Sequence, residues 1–131
     1  MSDDPKFRTT EDIERAVRAL AHEFKTDTVF IIGSQAILMS WPDAPEIMRG
    51  SPEIDAYPEN ARVWEIEEAK QSDGPTVEAS EHIHGLFGEG SLFHGTHGFY
   101  ISTAWTRERR GYREAGIRAR WSAGSTFTGE W

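Results

Sequence analysis

The sequence contains no cysteine, which excludes disulfide bonds and metal centres with thiolate ligands. It also lacks an apolar run long enough to cross a bilayer, so we expect no membrane partner. The first residues, MSDDPKF, are polar and acidic and do not have the basic and apolar pattern of a secretory signal peptide. These absences predict a cytoplasmic protein, and a chain of 131 residues suits one domain with a modest core.

Positive charge is scarce in most of the chain. The formal net charge is −8 overall, with −11 on residues 1–101 and +3 on residues 102–131. An acidic body should repel nucleic acid unless a metal ion or a local basic patch intervenes. The opposite sign of the last segment marks it as a different part of the chain.

Hydrophobic periodicity, capping residues and turn residues predict an alternation of helices and strands, and therefore an α/β (α+β) fold. The predicted elements are a helix over 11–25 with Thr10 as N-cap, a strand over 28–32, a helix over 35–41 capped by Ser34, a strand over 53–57, helices over 60–71 (capped by Asn60) and 77–87, a glycine-rich loop over 88–98 and a strand over 99–101.

The stretch SPEIDAYP places two acids in one predicted strand. Alternate side chains of a strand share a face, so Glu53 and Asp55 should point the same way while Ile54 points into the core. Two carboxylates on one face are unfavourable unless a cation neutralises them or water solvates them. Mg²⁺ binds one or two carboxylates and completes its shell with water and phosphate oxygens. The alternative is a solvated edge strand.

A second candidate lies where the apolar strand TVFII runs into Gly33 and Ser34. Backbone N–H groups at the start of the following helix would receive a phosphate, and the Ser34 hydroxyl would add a donor. The alternative is an ordinary tight turn.

The two candidates together form a compound pattern of an apolar strand, Gly-Ser, a helix and paired acids. This pattern resembles the nucleotidyltransferase superfamily with the DNA polymerase β-like fold. The pieces VFIIGSQAIL, SPEIDAYP and GEGSLFHGTHGFY are similar, in this order, to bacterial nucleotidyltransferases of unknown function of the DUF6036 type, distant relatives of AbiEii-type toxins. The similar region runs from about Ile13 to Tyr100.

The resemblance implies a small mixed sheet flanked by helices. It also implies that Gly33 and Ser34 contact a nucleoside triphosphate (NTP), and that Glu53 and Asp55 are catalytic and bind Mg²⁺. The expected reaction is transfer of a nucleoside monophosphate from the NTP to a hydroxyl on RNA, protein or a small molecule, with an antitoxin as a further partner. The stretch 35–52 is longer than the motif gap of better-studied members, which separates this chain from them.

Residues 102–131 depart from the resemblance and contain six arginines but no lysine, leucine, valine or aspartate. A reading frame shifted near residue 101 would explain this composition, since one back-translation, made with the family continuation as its target, reads LDGVDAGTAGLPRGWHPRAV. We therefore interpret 1–101 as a nucleotidyltransferase-like core, C-terminally incomplete, and 102–131 as an atypical, frameshifted and disordered tail. The alternative is a genuine basic tail that binds RNA or an acidic partner.

The departure matters because the superfamily has a third carboxylate on a later strand, which completes the metal site. This carboxylate is expected beyond residue 100, where Glu108 and Glu114 fit no such strand. Two non-enzymatic alternatives follow: a catalytically inactive, truncated or degenerate module that binds a partner, and a nucleotide sensor that binds NTP without transfer.

The remaining candidates are histidines. His94 and His97 flank Gly95-Thr96 in the glycine-rich loop and could contact substrate at the mouth of the site. His82 and His84 are two residues apart and would not share a helix face. We expect no zinc site, because no cysteine or well-spaced third ligand completes one. The large aromatic residues are assigned to the core: Trp41, Trp64, Phe87 and Phe93.

Overall fold

The computed structural model describes residues 8–32, 52–71, 77–103, 117–121 and 127–130. The described helices are α1 (Thr10–Phe24), α2 (Ala61–Gln71), α3 (Ala79–Phe87) and α4 (Leu92–His97). The described strands are β1 (Thr28–Ile32), β2 (Glu53–Pro58), β3 (Tyr100–Ser102), β4 (Ile117–Trp121) and β5 (Phe127–Glu130). The predicted helix over 35–41, with Gly33, Ser34 and Trp41, lies outside the described residues.

The described strands form one mixed sheet in the order β3-β2-β1-β4-β5. Strand β1 pairs antiparallel with both β2 and β4, whereas β2 and β3 run parallel. The prediction of a small mixed sheet with flanking helices is confirmed at this level.

Helix α1 begins with a capping box. The Thr9 hydroxyl accepts a hydrogen bond from the Asp12 N–H (3.2 Å), and the Asp12 carboxylate accepts one from the Thr9 N–H (3.0 Å). The prediction of Thr10 as N-cap is wrong by one residue, because only Thr9 has an acid three positions later. The helix ends at Lys25, whose φ of 56° is in the left-handed region.

One face of the sheet is covered by α1. Its apolar stripe is buried, as the spacing predicted, and packs with alternate residues of β1, β2 and β4 in the main core. The buried residues are Ile13, Ala16, Val17, Leu20 and Phe24 of the helix, with Val29, Ile31, Ile54, Ala56 and Ala119 of the sheet.

Two local predictions need correction. Residues 88–98 are not a continuous loop, because the Ser91 hydroxyl accepts from the His94 N–H and starts α4, which ends at Gly98 with a φ of 81°. Asn60 is at the N-cap position of α2 and its carbonyl accepts from the Trp64 N–H, but its side chain does not cap the helix, because Oδ1 has no partner among the described residues. Its Nδ2 instead donates to the Phe24 carbonyl at 2.7 Å, which ties α2 to the end of α1.

The segment 102–131, predicted to be a disordered tail, contributes β4 and β5. Strand β4 pairs with β1 along four residues, from Thr28↔Arg120 to Ile31↔Ile117, and β5 pairs with β4. The origin of this segment and the boundary at residue 102 stay predictions. Among the described residues, no helix combines the length and the apolar character needed to cross a membrane.

Candidate functional site

The two acids of β2 lie on the sheet face opposite α1. Ile54 and Ala56 are fully buried in the main core, whereas Glu53 and Asp55 are half-buried. The alternation predicted for this strand is therefore confirmed. It leaves two carboxylates side by side, one pleat apart, where cations and water can reach them.

Strand β3 supplies the neighbours of these acids. In the parallel register, Glu53 pairs with Tyr100 and Asp55 pairs with Ser102. This register places the Tyr100 side chain next to the Glu53 carboxylate on the same face of the sheet. Burial raises the pKa of Tyr100, and the negative charge and hydrogen bond of Glu53 raise it further, as do the charges of Glu89 and Asp55.

His94 lies beside Tyr100 of β3, the strand next to the acids. Its ring centroid is 4.9 Å from that of Tyr100, and its Nδ1 accepts a hydrogen bond from the Gly90 N–H at 3.0 Å. An accepting Nδ1 carries no proton, so in this hydrogen-bond pattern the ring proton is on Nε2. The prediction that His94 borders the site has this geometric support.

His97, by contrast, packs among aromatic rings. Its ring centroid is 4.6 Å from that of Phe93 and 6.3 Å from that of Phe99. Burial lowers the pKa of His97, and the charge of Arg15 lowers it further against the opposite effect of Asp12. Phe93 belongs to α4, Arg15 and Asp12 belong to α1, and Phe99 immediately precedes β3. None of these described contacts joins His97 to Glu53 or Asp55.

Strand β1 lies on the other side of the acids. Asp55 pairs with Ile32 and Tyr57 pairs with Phe30, and the two β1 side chains form a small apolar cluster with Tyr57. Gly33 and Ser34 follow Ile32 in the chain but lie outside the described residues. Their role therefore stays a prediction.

The same sheet face carries two arginines that the sequence analysis did not single out. Arg118 and Arg120 of β4 pair with Phe30 and Thr28, and both side chains are exposed. The guanidinium of Arg118 lies 5.6 Å from the centroid of the Phe30 ring. The alternating arginines of IRARW could have predicted a strand with one charged face. The unusual composition of the neighbouring residues obscured this pattern.

The carboxylates suit a hard cation. Within the described ranges, no group of three His, Cys, Asp or Glu side chains is placed to hold a metal. Glu53 and Asp55 still provide the one or two carboxylates that Mg²⁺ uses when phosphate oxygens and water complete its shell. Two carboxylates on one face are compatible with a hard cation of this kind.

Comparisons of the chain with protein-family models, with curated proteins and with solved structures find no match. The function is therefore inferred from the residues of the chain and their arrangement.

Proposed function

We propose that the chain is a Mg²⁺-dependent nucleotidyltransferase-like protein with a polymerase β-like core. It transfers a nucleoside monophosphate from an NTP to a hydroxyl acceptor on RNA, protein or a small molecule. One observation carries the proposal: Asp55 shares a sheet face with Glu53 and pairs with Ile32. Gly33 directly follows Ile32 in the chain. The Gly33-Ser34 pair therefore begins one residue after the β1 residue that pairs with Asp55.

The roles follow from the chemistry of these residues. Glu53 and Asp55 would hold Mg²⁺, which neutralises phosphate charge when it is bound. Backbone N–H groups at Gly33 and Ser34, with the Ser34 hydroxyl, would donate to the triphosphate. The protein would act mainly by positioning the α-phosphate for in-line attack by the acceptor hydroxyl. A cytoplasmic location belongs to the same proposal through the absences in the sequence, and an antitoxin partner through the resemblance alone.

A second candidate is a non-catalytic binding module, and the composition of β3 favours it. The residues of β3 that pair with the acids are Tyr100 and Ser102, neither of which supplies a carboxylate. Glu53 also interacts with Tyr100, whose pKa it raises, and a metal at Glu53 would compete with this interaction. Such a module would bind NTP weakly or not at all, and would release no pyrophosphate.

Calorimetric titration of the purified chain with ATP, CTP, GTP and UTP, with and without Mg²⁺, tests the proposal when pyrophosphate release is followed in parallel. The proposal expects Mg²⁺-dependent binding that Glu53→Gln and Asp55→Asn each weaken at least tenfold. Glu81→Gln, an exposed change on α3, is the matched control and should leave binding unchanged. Binding without pyrophosphate release would favour a nucleotide sensor that lacks the third carboxylate. A folded chain that binds no NTP would overturn the transferase proposal.

A further inference from the structure

A cleft of 440 Å³ lies where the end of α1 meets α2 and α3. Its volume is within the range of small-molecule sites in proteins. Its lining includes no residue of β2, so it is separate from the acidic strand. The lining residues that matter for its chemistry are Glu23, Asn60, Trp64, Glu67, Glu68 and His82.

Aromatic rings form one wall of the cleft. The ring centroid of Trp64 lies 4.9 Å from that of Phe24 and 4.8 Å from that of His82. His82 is held in turn by Glu23, whose Oε2 is 2.8 Å from its Nε2. Contacts from α1 and α3 thus hold the indole of α2, and indole is the aromatic group that attracts cations most strongly.

The charge of the lining is predominantly negative. Glu23, Glu67 and Glu68 contribute carboxylates, and the last two are exposed on α2. Lys70 lies 3.6 Å from Glu67 in an exposed pair, which is a weak interaction in water. The C-terminal end of α1 adds the negative end of a helix dipole.

Asn60 gives an independent indication of a missing donor. Its Nδ2 donates to the Phe24 carbonyl, which fixes the orientation of the amide. Its Oδ1 is buried and has no hydrogen-bond partner within the part of the chain that the structure describes. A buried acceptor without a donor is unfavourable, and Asn60 is also one of the residues that line the cleft.

We propose that this cleft binds an organic cation with a guanidinium or alkylammonium head, either a free amine or a basic side chain. The head would lie against the Trp64 ring, between the carboxylates. Lys25 also lines the cleft, and its charge opposes that of the ligand. The site is independent of nucleotide binding, because none of these residues belongs to the acidic strand.

The test is an NMR titration of the full chain at low ionic strength. The probe is N-acetyl-arginine amide, and the matched control ligand is its neutral citrulline counterpart. We expect saturable shifts of the Trp64 indole and Asn60 amide signals with the arginine probe, and at least fivefold weaker binding of the citrulline probe. Agmatine and a capped tri-arginine peptide distinguish the two sources, since a site for free amines binds agmatine as tightly as the peptide.

Variants of the exposed carboxylates complete the test without disturbing the fold. Glu67→Gln and Glu68→Gln should each weaken binding about two- to fivefold, as expected for loss of one exposed charge pair. Lys25→Ala should strengthen binding, and Glu81→Gln, away from the cleft, should not change it. Equal binding of the arginine and citrulline probes, or unchanged binding in both glutamine variants, would overturn the proposal. Glu53→Ala should leave the affinity for the arginine probe unaltered.

Discussion

Ser102 is the direct partner of Asp55 in the parallel pairing of β3 with β2. Partners in neighbouring strands lie about 4.8 Å apart on the same face. Position 102 is therefore a place from which a third carboxylate would join Glu53 and Asp55.

Ser102→Asp should raise the affinity for Mg²⁺ about tenfold or more, because a third carboxylate oxygen joins the two already present. Without metal, the added like charge should lower the thermal midpoint of unfolding. Mg²⁺ should then stabilise the variant more than the unaltered chain, as measured by calorimetry. Thr103→Asp, with the same charge one residue along, is the control. Equal Mg²⁺ affinity in both variants would contradict a metal site at β2.

Glu53→Gln should lower the pKa of Tyr100 toward its ordinary value of about 10. Burial is the first cause of the raised pKa and remains, whereas the charge of Glu53 is lost. The raised pKa favours the neutral phenol in the folded state. As pH rises from about 10 through the folded-state pKa, Tyr100 loses its proton more easily in the unfolded chain, and the free energy of unfolding decreases. Phenolate absorbance during alkaline titration measures the shift, with Tyr100→Phe to identify the signal. An unchanged titration would exclude the Tyr100–Glu53 contact.

His97 should make the fold less stable in mild acid. Its lowered pKa favours the neutral ring in the folded state. As pH falls from about 6.5 toward the folded-state pKa, His97 is protonated in the unfolded chain but not in the folded one. The free energy of unfolding therefore decreases over this range. His97→Gln should flatten this part of the stability curve, measured by urea unfolding at several pH values. His22→Gln, an exposed position on α1, is the control, and equal slopes in both variants would argue against a role for His97.

Thr9→Ala should lower the free energy of unfolding by about 1 kcal/mol, since it removes the side-chain acceptor of the capping box. Thr10→Ala changes the same residue type one position later, inside the helix, and should have a smaller effect. Denaturant unfolding of the two variants measures the difference. A larger loss in the free energy of unfolding for Thr10→Ala than for Thr9→Ala would identify Thr10 as the N-cap.

Local patterns were sufficient for much of the fold. The apolar stripe of α1, the β-branched run of β1 and the alternation of β2 each identify an element within one short window. The short helix α4 was missed because glycines surround it, although Ser91 and Gly98 are ordinary start and stop signals. The Thr9 cap was missed because Thr10 also precedes acidic residues.

Pairings between segments that are distant in the chain could not be predicted from the sequence. The contact of Tyr100 with Glu53 depends on a parallel register between residues 47 positions apart, which no local pattern fixes. The position of β4 beside β1 likewise depends on tertiary pairing. The acids were identified because strand alternation alone determines their common face. The role of Gly33 and Ser34 depends on residues that the structure does not describe.

The pairing of β4 with β1 also protects the chain from self-association. Strand β1 reads TVFII and is buried along its whole length, and β2 occupies only one of its two hydrogen-bonding sides. Without β4, the other side would present unpaired backbone groups on a very apolar strand, which is a template for aggregation. Whatever the origin of the arginine-rich segment, a chain cut at residue 101 would be expected to lose solubility before any question of activity arises.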